Sequence, residues 1–258
     1  MLKRGILLAA LLWLPSAYAL DWSSTQLEWL HGTAYHEPFN PQAVTKDILT
    51  FQHADGHSYG RNFLFVDFLQ SDRTDRHATE IYGEGYSSLS LNKLGLAGFS
   101  SGAIRDINLT VGLNYGHKTY PTHTVNPRVL LPGVTVDFNV PGFNFLSVDF
   151  LAYIDRGLFA GQNNGCHTTG WQVTPAWERP FVIGSENFVF EGFVDVIGRH
   201  GACSAQVLSQ PRLRWDIGRH FGAPNHLYIG MEFQYWRNKY GIQQANERVF
   251  QSMAMWKF

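Results

Sequence analysis

Val249-Phe250-Gln251-Ser252-Met253-Ala254-Met255-Trp256-Lys257-Phe258 closes the chain. Phe250, Ser252, Ala254, Trp256 and Phe258 share one parity; Val249, Gln251, Met253, Met255 and Lys257 share the other. Alternation of period two marks a β-strand with two unlike faces. Here the strand runs to the last residue, which is aromatic, with a second aromatic two positions before it.

The amino terminus agrees with one interpretation of that strand. Lys3 and Arg4 precede an apolar run over residues 5–14, Pro15 breaks it, and Ala17-Tyr18-Ala19 follows. This order of basic, apolar and small residues is that of a secretory signal peptide. We expect residues 1–19 to be removed and the mature chain to start near Leu20. The run is too short to cross a bilayer as a helix, which takes about 20 apolar residues. An exported chain whose last strand ends on an aromatic residue fits a bacterial outer-membrane β-barrel. Residues 20–258 are expected to form that single domain.

Composition is compatible with this. Aromatic residues make up 15% of the 258-residue chain and charged residues only 16%, a balance suited to a protein with one face in lipid. The formal net charge is -1, and no basic run points to nucleic acid. No cofactor-binding or metal-ligand spacing is present; the eleven histidines are scattered.

Period-two alternation recurs along the chain, and helical periods are hard to find. It predicts an all-β fold, a twelve-stranded antiparallel up-and-down transmembrane β-barrel. The strands fall roughly at 25–34, 47–54, 60–70, 80–92, 103–117, 128–139, 143–155, 169–179, 188–199, 206–217, 226–238 and 248–258. An even count puts both chain ends at the periplasmic side. The extracellular connections then run near 35–46, 71–79, 118–127, 156–168, 200–205 and 239–247. A soluble barrel would use the same alternation with the apolar parity inside. The terminal aromatic and the uneven connections favour the membrane form, although 93–102 would make a long periplasmic turn.

Parity also sorts side chains. Leu64, Val66 and Phe68 suit lipid, and Arg61, Phe63, Phe65 and Asp67 share the opposite face. Tyr82, Glu84 and Tyr86 fall together on the polar parity of the fourth strand, and Arg212 and Arg214 on that of the tenth. Aromatic faces beside carboxylates suit an uncharged ring solute: the ring stacks and its hydroxyls donate to the acids. The candidate solute-binding set is therefore Phe63, Phe65, Tyr82 and Tyr86 as ring contacts. Asp67, Glu84, Arg61 and Arg212 are its polar partners. The plainer alternative is that the rings pack the lumen and the charges pair for stability.

Gly56-His57-Ser58-Tyr59-Gly60 matches the G-x-S-x-G pattern of serine hydrolases. That motif needs a helix after the turn, and here strands flank it on both sides. A β-hairpin turn is expected instead, and no enzymatic role. Cys166 and Cys203 fall in the fourth and fifth outer connections, which flank one hairpin. The exported route is oxidising, so a disulfide between them is expected.

Three stretches carry a resemblance. Phe51-Gln52-His53-Ala54-Asp55-Gly56, then Tyr59-Gly60-Arg61-Asn62-Phe63-Leu64-Phe65, then Ile81-Tyr82-Gly83-Glu84 with Leu89-Ser90-Leu91 are similar to the Tsx-type nucleoside channels and their OmpK-like relatives. Most of the mature chain follows that family in layout; its specific words lie in the first third. The resemblance implies a monomeric outer-membrane barrel with a narrow lumen for passive uptake of nucleosides or similar small solutes. Its partners would be membrane lipid and the solute. Some members also serve as phage or colicin receptors, and a surface receptor with an incidental pore is the alternative function. A lipid-modifying barrel enzyme is a third. The chain departs from the family at His57, where Trp is common, and at Arg61, where an acid is common.

Overall fold

A computed structural model describes residues 20–99, 102–119, 125–159, 166 and 168–258. The expected signal peptide, residues 1–19, lies outside them. The chain forms twelve barrel strands: β1 (Leu20–His36), β2 (Ala43–His57), β3 (Gly60–Ser71), β4 (Thr79–Ser90), β5 (Ile104–Lys118) and β6 (Arg128–Phe138). They continue with β7 (Phe145–Asp155), β8 (Thr169–Ile183), β9 (Glu186–Ile197), β10 (Gln206–Ser209 and Arg212–Trp215), β11 (Leu227–Arg237) and β12 (Glu247–Lys257). Each pairs antiparallel with its sequence neighbour, and β1 pairs with β12 to close the sheet. Closure leaves no barrel strand with an unpaired edge.

The closing strand follows its sequence pattern. Val249, Gln251, Met253 and Met255 point inward and are buried, while Phe250 is 71% exposed on the outer surface. The outer face is apolar elsewhere too. Leu27 and Trp29, Leu49, Phe68, Leu109 and Val111, Phe150, Trp171, Leu213, Ile229 and Met231 all project outward. The buried side chains include Glu28, Lys46, Asp137, Arg214, Glu232 and Glu247. This distribution is the inverse of a soluble barrel and is that of a barrel surrounded by lipid.

Both described chain ends lie at one end of the barrel. The connections at the opposite end span 37–42, 72–78, 119–127, 156–168, 198–205 and 238–246, close to the extracellular set expected from sequence. The turns at the chain-end side include the two-residue links 58–59 and 184–185. The G-x-S-x-G stretch is therefore a hairpin turn between β2 and β3, with a strand on each side.

Several strand ends differ from expectation: β2, expected at 47–54, spans Ala43–His57, and β8, expected to end at 179, runs to Ile183. Strand β1 begins at Leu20, five residues early, because Trp22 to Thr25 pair with the far end of β2. Strand β10 is broken at Gln210 and Pro211, since proline has no N–H for the ladder. Opposite the break stands Gly192, with φ 151°; a Cβ there would lie 2.6 Å from the Gln210 carbonyl oxygen. Ile217, expected in the tenth strand, instead opens a 3-10 helix, Ile217–Phe221, which Gly222 ends in a left-handed conformation. The connection 216–226 is consequently longer than its turn residues suggested.

Candidate functional site in the lumen

Arg61, Phe63, Phe65 and Asp67 face the lumen from β3, with Tyr82, Glu84 and Tyr86 beside them on β4. The register sets Phe63 opposite Tyr86, Phe65 opposite Glu84 and Asp67 opposite Tyr82. Their rings form a wall: Phe63 and Phe65 lie 6.1 Å apart, and Phe65 and Tyr82 5.9 Å. The tyrosines lean toward β5, where Gly112 underlies the Tyr86 ring and Gly116 that of Tyr82. A Cβ at Gly112 would collide with the Tyr86 ring; one at Gly116 would collide with Pro127 and crowd the Tyr82 ring, at 3.2 Å.

Glu84 is the hub of this wall. Both tyrosine hydroxyls donate to it, Tyr86 at 2.8 Å, and the Asn114 side-chain amide donates at 3.0 Å. Asp67 accepts from Thr50 at 2.5 Å. Further round the lumen Asp149 accepts from Thr135 at 2.6 Å, and Asp195 from Thr174 at 2.6 Å. These acids are held by hydroxyls and amides.

The arginines are committed to carboxylates. Arg61 forms a two-pronged pair with Asp137, at 2.6 and 2.8 Å, towards the chain-end side of the barrel. It does not join the aromatic wall. Arg212 bridges Glu28 on β1, at 2.9 Å, and Glu232 on β11. Arg214 joins Glu178 and Glu191. Sequence parity found Arg212 and Arg214; it missed Glu28, Asp137 and Asn114. No local signal could have matched Glu28 to a residue 184 positions away.

Buried side chains reach into the lumen from several sides: Val129, Leu131, Leu151, Tyr153 and Ile197 form one cluster, with Tyr86 packed against it. Glu28, Glu232, Gln251 and Met255 on β1, β11 and β12 are at most 2% exposed. Phe63, Phe65, Asp67, Tyr82, Glu84 and Tyr86 are half-buried, as are Asp149, Glu191 and Arg212. All eight candidate solute-binding residues keep some exposure, and six of them make up this one wall.

The loop end holds a second ion cluster, which the sequence did not reveal. Glu37, just past β1, turns into the barrel mouth. Lys46 lies 2.7 Å from its carboxylate, Lys118 2.8 Å and Lys239 3.3 Å. Glu80 and Asp75 complete the cluster through Lys46 and Lys118, and Glu247 through Lys239 at 2.9 Å. Burial opposes ionisation of Glu37, but Lys239, Lys46 and Lys118 outweigh it and hold the carboxyl well below its usual range. Burial likewise works against the Lys239 charge, and Glu247 and Glu37 reverse this, raising its pKa.

Cys166 and Cys203 form a disulfide with Cα atoms 5.3 Å apart. It ties the connection before β8 to the one after β9. A shallow cavity of about 310 Å³ lies there, lined by Arg199, Ser204 and Gln243 among others, apart from the lumen wall. His200 packs beneath it against the Tyr153 ring, 3.4 Å from Asp155.

No protein-family model matches the chain, and no curated protein sequence does. Among solved structures it is similar to the β-domain of the Bordetella autotransporter BrkA. The identity is 10% and the TM-score 0.46, covering 92% of this chain and 99% of that one. The translocator domain of the autotransporter NalP from Neisseria meningitidis gives 12% and 0.45, covering 92% and 88%. Salmonella typhi OmpF, in complex with daunomycin, gives 5% and 0.36, covering 93% and 100%.

Proposed function

We propose that the protein is an outer-membrane channel for passive uptake of nucleosides or similar small ring solutes. The observation that carries this reading is the wall of Phe63, Phe65, Tyr82 and Tyr86 built around Glu84. Its side chains are half-buried on the inner face of the barrel, where a solute in the lumen would meet them. A planar ring can stack on such a wall. Sugar hydroxyls can donate to Glu84 and Asp67 by replacing the tyrosine and threonine hydroxyls that donate there now. The resemblance of the first third of the chain to Tsx-type channels supports the same solute class.

The buried ion pairs at the loop end and the buried side chains that reach into the lumen argue against a general porin, whose lumen is an open aqueous channel. They also favour the second reading, a surface receptor with an incidental pore. Liposome swelling separates the two. Uridine or adenosine should swell proteoliposomes faster than a sugar of similar size, and Tyr82→Ala or Glu84→Gln should remove most of that difference. No swelling with any solute would leave the receptor reading. Equal loss for nucleoside and sugar would mean that the wall sets width and not recognition.

A further inference from the structure

We propose that the three lysines at the barrel mouth form a binding site for a monoanionic, ring-bearing solute, and that Glu37 occupies this site as an internal stand-in. Lys46, Lys118 and Lys239 come from β2, β5 and the loop before β12, and each side chain is at most 7% exposed. All three converge on one loop carboxylate. Lysine chains buried this deeply are rare on a protein surface unless an anion holds them.

Charge sets the class of solute. Glu80, Asp75 and Glu247 are the other acids paired with these lysines. With Glu37 withdrawn, three ammonium groups face three carboxylates. The present cluster sets the same three against four carboxylates, so an incoming group of one negative charge, a carboxylate or a phosphate monoanion, replaces Glu37 charge for charge. A neutral solute leaves Glu37 in place.

Aromatic rings surround the lysines. Lys46 lies over the Tyr35 ring at 5.4 Å, and Lys239 over Trp236 and Tyr240 at 5.3 and 5.6 Å. The Trp236 indole N–H is buried and has no acceptor. It is a spare donor beside the cradle, suited to a ligand oxygen that the Glu37 carboxylate does not supply. Such rings favour a solute with a flat apolar part next to its charge.

Loop 37–42 is suited to exchange. Phe39 holds φ 69°, a conformation uncommon for a residue with a side chain. The Asn40 side-chain amide in this loop donates to the Thr74 carbonyl at 3.0 Å. Withdrawal of Glu37 would release that backbone and uncover the lysines toward the outside. The lysines face the lumen, so the site serves a solute entering the barrel and not a headgroup on its outer wall.

The test uses the full protein in detergent or vesicles, with benzoate as probe and benzyl alcohol as its neutral match. If Glu37 fills the cradle about nine-tenths of the time or more, its removal tightens apparent affinity about tenfold or more. Calorimetry should thus show E37A and E37Q binding benzoate at least that much more tightly than the unaltered protein, with benzyl alcohol bound by none. Equal benzoate affinity in all three, or equal binding of benzyl alcohol, would overturn the proposal. Should both variants fail to fold, the unaltered protein decides. Millimolar benzoate should change its tryptophan fluorescence, and W236F should abolish that change; a change that survives in W236F counts against the site. Nucleoside flux is a separate readout, so the channel reading can fail while this one holds.

Discussion

At the residue scale, parity was a good guide to direction and a poor one to partners. It placed Tyr82, Glu84, Tyr86, Arg212 and Arg214 on the inner face because a strand alternates strictly. What it could not supply was the opposite wall. Glu84 reads in sequence as a free hydrogen-bond acceptor, yet Tyr82, Tyr86 and Asn114 already donate to it. Arg212 reads as a solute contact, yet Glu28 and Glu232 hold it. The plainer alternative, charges paired for stability, therefore describes the arginines, and the ring-contact reading is confined to the β3–β4 wall. Arg212→Ala would strand two carboxylates that are each 1% exposed. Removal of one partner from such a buried pair costs about 3–5 kcal/mol. Urea unfolding of the vesicle-inserted variant should show a loss of that order. A loss under about 1 kcal/mol would mean that water reaches and solvates the acids, as at a surface pair.

At the element scale, strand number and order were legible and strand ends were not. Twelve alternating stretches predicted twelve strands with nearest-neighbour pairing, and the sheet has that order. The ends were missed where alternation stops carrying information. Pro211 interrupts β10, and Ile217, whose apolar side chain continues the alternation in sequence, starts a short 3-10 helix instead. The outer faces are open to a direct check. Val194 sits within β9, with its side chain on the face opposite the buried Asp195. Val194→Arg should destabilise the barrel by about 2–4 kcal/mol if its depth is near the midplane, read as a shift in the unfolding midpoint in vesicles. An unchanged midpoint would put that face away from lipid.

At the scale of the whole molecule, the mouth cluster ties loop 37–42 to Lys46, Lys118 and Lys239 across a wide range of pH. Glu37 ionises well below its usual range, so its contribution is present above the unfolded carboxyl value and is lost only as pH falls through the lowered one. The Lys239 pKa is raised, so its contribution is complete below the ordinary lysine value and is lost only as pH rises through the raised one. The two windows overlap across the whole neutral range. Amide exchange in loop 37–42, corrected for its intrinsic pH dependence, should keep the same protection from about pH 5 to 9, that is, between the ordinary carboxyl and lysine values. A protection factor that falls within that range would show that the Glu37 and Lys239 charges do not set the closure. None of this was legible beforehand, since Glu37 and Lys239 lie in connections where parity says nothing.

The pairing of β1 with β12 has a further consequence, for how the molecule comes into being. Tyr35 donates to Gln251 across that seam, and the two residues are 216 positions apart. A contact of such separation forms late and slowly, because its loop-closure cost precedes any gain. Until the twelfth strand arrives, the first keeps a row of unsatisfied amides and carbonyls open to any other strand. The half-built sheet is therefore sticky along both edges, with its greasy side bare in water. Safe assembly would call for an escort that caps an edge until the circle is joined.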